Sequence, residues 1–242
     1  MRLKNTLFAS LLSLSLTQCT WQPAASKEFE PAPTPVIHRT GYTLAYDGRT
    51  RHANWVYEEL TAESLKGETE RSKFDFTEDP LLPAHIRASK SDYRGSGYDR
   101  GHLCPAGNAR FSPETMKDTF YLSNISPQHP QLNRKYWVKL EKYVRDMTKS
   151  YAKVCVITGP LFIPELNEDG KKYVRYQVIG ENQVAVPTHY FKVIYGKTDL
   201  KVVTEAYLIP NRPIDNDPPL QNFSVTLEKV EKAAGLTFRK IP

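Results

Sequence analysis

The chain has 242 residues and a mass of 27.7 kDa, with 40% hydrophobic and 25% charged residues. This composition predicts a globular protein with a sizeable core and excludes a disordered chain. Three cysteines exclude a disulfide scaffold, and the formal net charge of +6 favours a polyanionic partner.

The N-terminus predicts export. Residues 1–19 combine a basic start with an apolar stretch from Leu7 to Leu16, which is the pattern of a secretory signal peptide. Leu16-Thr17-Gln18-Cys19 resembles a bacterial lipoprotein box. Two interpretations stay open: a lipid on Cys19 that anchors the protein in a membrane, or an ordinary signal peptide. The predicted location is bacterial and exported: periplasmic, membrane-anchored or secreted.

Residues 20–39 contain four prolines and predict a semi-stiff tether, which leaves residues 40–242 as the folded domain. Along this domain the patterns predict a strand at 41–46, a helix from Asn54 to Leu60 and a long loop at 68–90. Next come a strand at 98–103, a helix that begins at Ser112, an extended stretch at 120–122 and a helix from Asn133 to Thr148. Strands at 154–158, 173–179, 184–195 and 202–209 precede a last helix at 224–234. Strands without regularly alternating helices predict an α+β fold with a central, mostly antiparallel sheet.

The excess positive charge lies in one segment. Residues 100–145 contain eight Lys and Arg but only three Asp and Glu, so this segment carries five of the six net charges. Two interpretations are open: a solvated helix face rich in Lys, or a surface that follows a phosphate backbone.

Several residues in this segment are candidates for chemistry. The period of a strand places Arg100 and His102 on one face and Asp99 on the other. The period of a helix places Glu141 about two turns after Asn133, and Arg145 one turn after Glu141. Each residue also has a purely structural interpretation: a surface or core-rim histidine, a helix cap at Asn133, and an ion pair between Glu141 and Arg145.

Together these residue types suit phosphodiester cleavage, which needs a base to activate water and positive charge on the transition state. A histidine can be that base near neutral pH. A single Mg²⁺, or Mn²⁺, keeps most of its waters, so one Asn oxygen could hold it. No small-molecule cofactor is predicted.

Separated motifs then resemble one family, the DNA/RNA non-specific endonucleases, which are ββα-metal (His-Me finger) nucleases, and among them the endonuclease G-like enzymes. The motifs are Asp99-Arg-Gly-His-Leu-Cys-Pro-Ala-Gly-Asn108, Phe120-Tyr-Leu-Ser-Asn-Ile-Ser-Pro-Gln128, Leu132-Asn133 with Trp137 to Glu141, and Asp92-Tyr-Arg-Gly-Ser-Gly97. Further matches are Thr158-Gly-Pro-Leu161, Tyr176-Gln-Val-Ile-Gly180 and Val184-Ala-Val-Pro187.

The resemblance implies roles for particular residues. His102 matches the general base, Asn133 the Mg²⁺ ligand, and Glu141 the acid that holds metal-bound water and supports the leaving group. Arg100 and Arg145 match arginines beside the scissile phosphate, and Asn124 matches a second-shell or substrate-contacting residue. An upstream arginine of the family falls near Arg71, and Arg134 and Lys135 are predicted to bind substrate with it.

The resemblance also implies 5′-phosphate products, DNA and RNA as substrates, and a homodimer. Two other hypotheses stay open: a 5′ exonuclease of the same superfamily, and a nucleic-acid-binding surface lipoprotein without catalysis. For Cys104 the sequence leaves open a small apolar residue, a site of redox inactivation, and a disulfide with Cys155.

Overall fold

The fold was analysed in a computed structural model that describes residues 34–238, so the predicted signal peptide, Cys19 and most of the tether lie outside the described residues. The twelve strands are β1 (Val36–His38), β2 (Thr43–Asp47), β3 (His52–Leu60), β4 (Asp99–His102), β5 (Ile125–Gln128), β6 (Lys153–Leu161), β7 (Glu165–Leu166), β8 (Lys172–Tyr173), β9 (Val178–Ile179), β10 (Val184–Ala185), β11 (His189–Lys197) and β12 (Val202–Pro210). The α-helices are α1 (Pro113–Asp118), α2 (Val138–Met147) and α3 (Leu227–Ala234). No helix within residues 34–238 is both long enough and apolar enough to cross a membrane.

The predicted α+β fold with an antiparallel sheet is confirmed. Six strands form one sheet in the order β1-β2-β3-β6-β11-β12, and every neighbouring pair is antiparallel. Strand β1 belongs to this sheet, so the folded part begins at least four residues before the boundary expected at Thr40.

Helices cover both faces of the sheet. On one face, Trp137, Leu140 and Val144 are buried in the same apolar cluster as strand residues such as Val56 and Val156. On the other face, Val230 of α3 packs with Phe191 and its neighbours. The helix predicted from Asn133 therefore has the expected buried side, and its first turn, Leu132–Trp137, is wound as a π-helix.

The predicted helix from Asn54 to Leu60 is wrong, because these residues lie in strand β3. Both edges of β3 are hydrogen-bonded, to β2 and to β6. Val56, Glu58 and Leu60 are buried at every second position, which is the period of a strand. A buried glutamate interrupts the apolar pattern, so the alternation is hidden in the sequence.

A separate two-stranded sheet carries the first motif, which begins at Asp99. Strand β4 pairs antiparallel with β5, with His102 opposite Ile125 and Gly101 opposite Ser126. Gly101 has no room for a side chain, because an added Cβ would lie 2.2 Å from Oε1 of the buried Gln128. Helix α1 connects the two strands and begins as predicted, with Ser112 Oγ accepting a hydrogen bond from the Thr115 backbone NH.

Candidate active site

A cleft of about 560 Å³ lies where β4 meets the start of the π-helical turn and α2. Its polar lining consists of Arg71, Lys90, Tyr93, Arg94, Tyr98, Asp99, Arg100, His102, Asn133, Arg134 and Glu141. An adjoining hollow shares Arg71 and Glu141 with it and adds Arg110 and Arg145. The fold therefore brings residues from four separate parts of the sequence to one strongly basic surface.

His102 ends strand β4 and is 7% exposed at the cleft. Its ring packs against Phe76 and Phe120, with ring centroids 5.4 and 5.2 Å away, and Trp137 Nε1 donates to its backbone oxygen. Burial, with a smaller contribution from the positive charge of Arg71, lowers the pKa of His102 to about 3. The imidazole is therefore neutral at physiological pH and able to accept a proton.

Asn133 is held by a carboxylate. Its Nδ2 donates to Asp99 Oδ2 at 2.9 Å, so the amide is oriented and its Oδ1 is left without a hydrogen bond from the described residues. Arg134 binds the same carboxylate through Nε at 2.8 Å and NH2 at 2.6 Å. Burial opposes ionisation of Asp99, but the hydrogen bonds from Arg134 and Asn133 outweigh it and lower the pKa of Asp99.

Glu141 lies on α2 and lines both the cleft and the adjoining hollow. Burial raises its pKa to about 7, although the positive charges of Lys192 and Arg145 act in the opposite direction. A carboxyl with this pKa exchanges its proton near neutral pH, and a nearby cation would favour its ionised form.

Two arginines stack on aromatic rings of the cleft. Arg100 Cζ lies 4.6 Å from the centroid of Phe76, the same ring that packs on His102, so the predicted common face for Arg100 and His102 is present. Arg71 Cζ lies 5.7 Å from the centroid of Phe120. Stacking on a ring restrains the guanidinium while its NH groups stay available for a phosphate.

Asn124 does not line this cleft, so of its two predicted roles the geometry favours support of the site over contact with substrate. The residue is fully buried, and its side chain binds only backbone. Oδ1 accepts from the Cys104 NH, and Nδ2 donates to the carbonyls of Cys104 and Thr119, each at 2.9 Å. Asn124 therefore fixes the loop after His102 to the end of α1.

We expect Asn124→Ala to lower the free energy of unfolding by about 3 kcal/mol, at about 1 kcal/mol for each of the three lost hydrogen bonds. The measurement is urea denaturation followed by circular dichroism. Asn222→Ala, at an exposed position whose contact runs through its backbone, is the matched control and should change stability by less than about 0.5 kcal/mol. An Asn124→Ala protein with the wild-type free energy of unfolding would show that Asn124 does not fix the loop after His102.

Lys135 also lies apart from the cleft. It borders a different surface pocket together with Lys139, Asp215 and Asp217, because residues 134 and 135 point to different sides of the helical turn. Acidic neighbours make this pocket a poor site for a phosphate, so the geometry gives no support to the prediction that Lys135 binds substrate.

Cys104 and Cys155 are both free and buried, so they form no disulfide. Burial, together with the neighbouring Glu58 carboxylate, raises the pKa of the Cys104 thiol well above its usual value. A thiol in this state reacts slowly with oxidants, which favours the interpretation of Cys104 as a packing residue.

Five polar cleft residues received no role from the sequence: Lys90, Tyr93, Arg94, Tyr98 and Asp99. Strand alternation placed Asp99 on the face opposite His102, but at the first residue of β4 its carboxylate binds Asn133 and Arg134. The basic residues Lys90, Arg94 and Arg100 lie close together in the sequence, and such a cluster is the signal that could have marked this surface.

Two antiparallel strands followed by a helix, with a neutral histidine on the strand and an asparagine at the helix start, define a ββα-metal (His-Me finger) nuclease. The profile of the family described as DNA/RNA non-specific endonuclease matches residues 22–240. The chain belongs to this family and is an enzyme, a hydrolase that cleaves DNA and RNA.

Individual relatives agree with the family. Mitochondrial endonuclease G of Bos taurus is 50% identical over 213 residues, which cover 86% of this chain and 70% of that protein. Mitochondrial endonuclease G of Homo sapiens is 52% identical over 205 residues, covering 83% and 68%. A crystal structure of the EndoG/EndoGI complex, concerned with the inhibition of EndoG, matches with a TM-score of 0.83 and 48% identity over 86% of each chain.

The expectation of an exported bacterial protein is contradicted by these relatives, which are mitochondrial enzymes. Residues 1–19, which carry the basic and apolar pattern, lie outside the described residues. The predicted membrane anchor on Cys19 depended on export and falls with it.

Proposed function

We propose that the chain is a metal-dependent endonuclease in which His102 is the general base, and that its products carry a 5′ phosphate. One observation carries this proposal: a neutral histidine, an oriented Asn133 and several arginines line one cleft. The arginines and lysines of the cleft bind phosphate groups, and such contacts do not depend on the nucleotide sequence. That chemistry accounts for activity on both DNA and RNA.

The residues of the cleft fit a single Mg²⁺, or Mn²⁺. Within residues 34–238 no three His, Cys, Asp or Glu side chains are grouped as a metal site. Asn133 Oδ1 accepts no hydrogen bond within residues 34–238, and the Glu141 carboxyl lines the same cleft. Mg²⁺ binds oxygen ligands and keeps most of its waters, so Asn133 as a direct ligand and Glu141 as an acceptor for the water of the ion are sufficient. When bound, the cation would neutralise charge on the phosphate and on the departing 3′ oxygen.

The protein side chains then have defined tasks. His102 removes a proton from the attacking water, and its aromatic neighbours keep the ring neutral beforehand. Arg100 and Arg145 hold the phosphate and stabilise its added negative charge. Asp99 keeps Asn133 and Arg134 in place, and Glu141 holds water beside the leaving oxygen. Arg71, Arg94 and Lys90 bind neighbouring phosphates of the strand.

The test is cleavage of supercoiled plasmid, linear DNA and RNA by the full chain, with Mg²⁺ and with EDTA. We expect nicking, then linearisation, then degradation of the plasmid, loss of RNA, and protection of both by EDTA. Intact circles beside digested linear DNA would favour the 5′ exonuclease. Binding of DNA without cleavage under any metal would favour the non-catalytic binding protein.

We also propose that the enzyme is a homodimer that pairs through the surface around the β7–β8 hairpin. Residues 166–178 carry several exposed apolar side chains: Leu166, Tyr173, Val174, Tyr176 and Val178 are between 38% and 70% exposed. Such a patch favours association with another surface. We expect light scattering after gel filtration to give twice the chain mass, and Leu166→Lys with Tyr176→Glu to give the monomer. A wild-type monomer at micromolar concentration would contradict the dimer.

A further inference from the structure

A chain of polar contacts leads from the buried sheet to the cleft. Glu58 on β3 accepts a hydrogen bond from Asn108 Nδ2 at 2.7 Å. The other end of the same amide, Asn108 Oδ1, accepts from Arg145 NH1 at 3.2 Å. Asn108 therefore links a core carboxylate to an arginine that lies at the rim of the active site.

Burial fixes the Glu58 end of this series of hydrogen bonds. Glu58 is 2% exposed and Asn108 is 5% exposed, so neither side chain can turn to water without breaking its contacts. The Glu58 carboxylate also accepts from the Cys104 thiol and faces the buried amine of Lys192. Lys192 is held in turn by Thr158 Oγ1 and by the ring of Trp137, whose centroid lies 4.9 Å from Nζ. A buried carboxylate persists only with such compensation, and its oxygens then have fixed positions.

At the other end of this series of hydrogen bonds, the backbone at Gly107 leaves room for the Arg145 guanidinium. Gly107 precedes Asn108, and an added Cβ at Gly107 would lie 3.3 Å from Arg145 NH1. Both residues lie in the 3-10 turn Ala106–Asn108, which follows His102 by only a few residues. The loop that follows His102 therefore restrains the position and orientation of the Arg145 guanidinium.

We propose that Asn108, supported by Glu58, is a positioning residue that orients Arg145 toward the scissile phosphate. An arginine side chain loses conformational entropy when it is held in one rotamer. If the folded protein already holds that rotamer, this entropy cost does not add to the activation free energy of the reaction. This inference rests on the role given to Arg145 in the proposed function. It extends that role to two buried residues that touch neither substrate nor metal.

The experiment is a double-mutant cycle on plasmid cleavage by the full chain. We expect Arg145→Ala to lower kcat about 100-fold and Asn108→Ala about 10-fold, with KM changed less than about threefold, because misplaced catalytic groups lower kcat. In the Arg145→Ala background, Asn108→Ala should have no further effect, because residues that act through one another are not additive. Glu58→Gln keeps an acceptor for Asn108 and should keep kcat within about threefold of wild type.

Controls separate positioning from stability. Thr226→Ala removes the N-terminal cap of α3, so it should lower the melting temperature and leave kcat unchanged. If Asn108→Ala does not fold, Asn108→Ser takes its place in the same cycle. Equal losses of kcat in both backgrounds, or full kcat in Asn108→Ala, would overturn the inference. A wild-type chain without nuclease activity would instead refute the proposed function, and the inference with it.

Discussion

His102→Ala should reduce plasmid cleavage by about 1000-fold while leaving DNA binding within about threefold of wild type, since general bases contribute about 10²–10⁴ to rate. His102 lines the cleft, and its lowered pKa leaves the imidazole unprotonated, which is the form that a general base needs before the reaction. Its removal leaves Arg71, Arg94 and Arg100 on the cleft, so the phosphate contacts that dominate affinity remain. Gel-based cleavage rates and fluorescence anisotropy with a labelled duplex in Ca²⁺ measure the two quantities.

A matched histidine gives the control. His38 lies on the edge strand β1 and bonds only Thr43 Oγ1, so His38→Ala should cleave at the wild-type rate. Circular dichroism and thermal melting establish that both variants fold. Full turnover by folded His102→Ala would remove this residue from the mechanism, and equal losses of binding and cleavage would make it a structural residue.

Asn133→Ala should lower cleavage about 100-fold at millimolar Mg²⁺ and raise the Mg²⁺ concentration for half-maximal rate about tenfold or more, as expected when a metal site loses a ligand. The oriented Oδ1 of Asn133 is the oxygen that its contact with Asp99 leaves free. The measurement is a Mg²⁺ titration of the cleavage rate, with Mn²⁺ binding to the nucleic-acid-free enzyme followed by electron paramagnetic resonance as a readout independent of turnover.

Asn222→Ala serves again as the control, because Asn222 is exposed and borders none of the cleft surfaces described above. It should leave both the Mg²⁺ titration and Mn²⁺ binding unchanged. An Asn133→Ala enzyme with wild-type Mg²⁺ dependence would move the metal away from Asn133, and Glu141 would then be the first residue to test as its ligand.

The sequence predicted those parts of the site that depend on residue type and on spacing within a motif. His102, Arg100, Asn133 and Glu141 were identified from motif and spacing, and all four line one cleft. The positions of Lys135 and Asn124 relative to this cleft could not be read from the sequence. Whether a basic side chain faces the cleft, and whether an amide binds backbone or substrate, depends on the direction of the side chain within the packed molecule.

Some elements of the fold were likewise predictable from the sequence, and others were not. Local signals sufficed for the cap at Ser112, the left-handed end of α3 at Gly235 and the Val-rich and Ile-rich strands, because capping and strand propensity act over a few residues. They failed at β3, where pairing on both edges overrides the helical spacing of Trp55, Val56 and Leu60.

The sequence by itself determined the family, the α+β class and the chemistry of the candidate catalytic residues, since these follow from residue types in a fixed order. Only the tertiary structure decided that Asp99 orients Asn133, that Asn124 ties the loop, and that Glu58 supports Arg145 through Asn108. The physical reason is distance along the chain: these contacts join residues 20 to 50 positions apart, and only the packing of separate elements against one another brings them within hydrogen-bonding range.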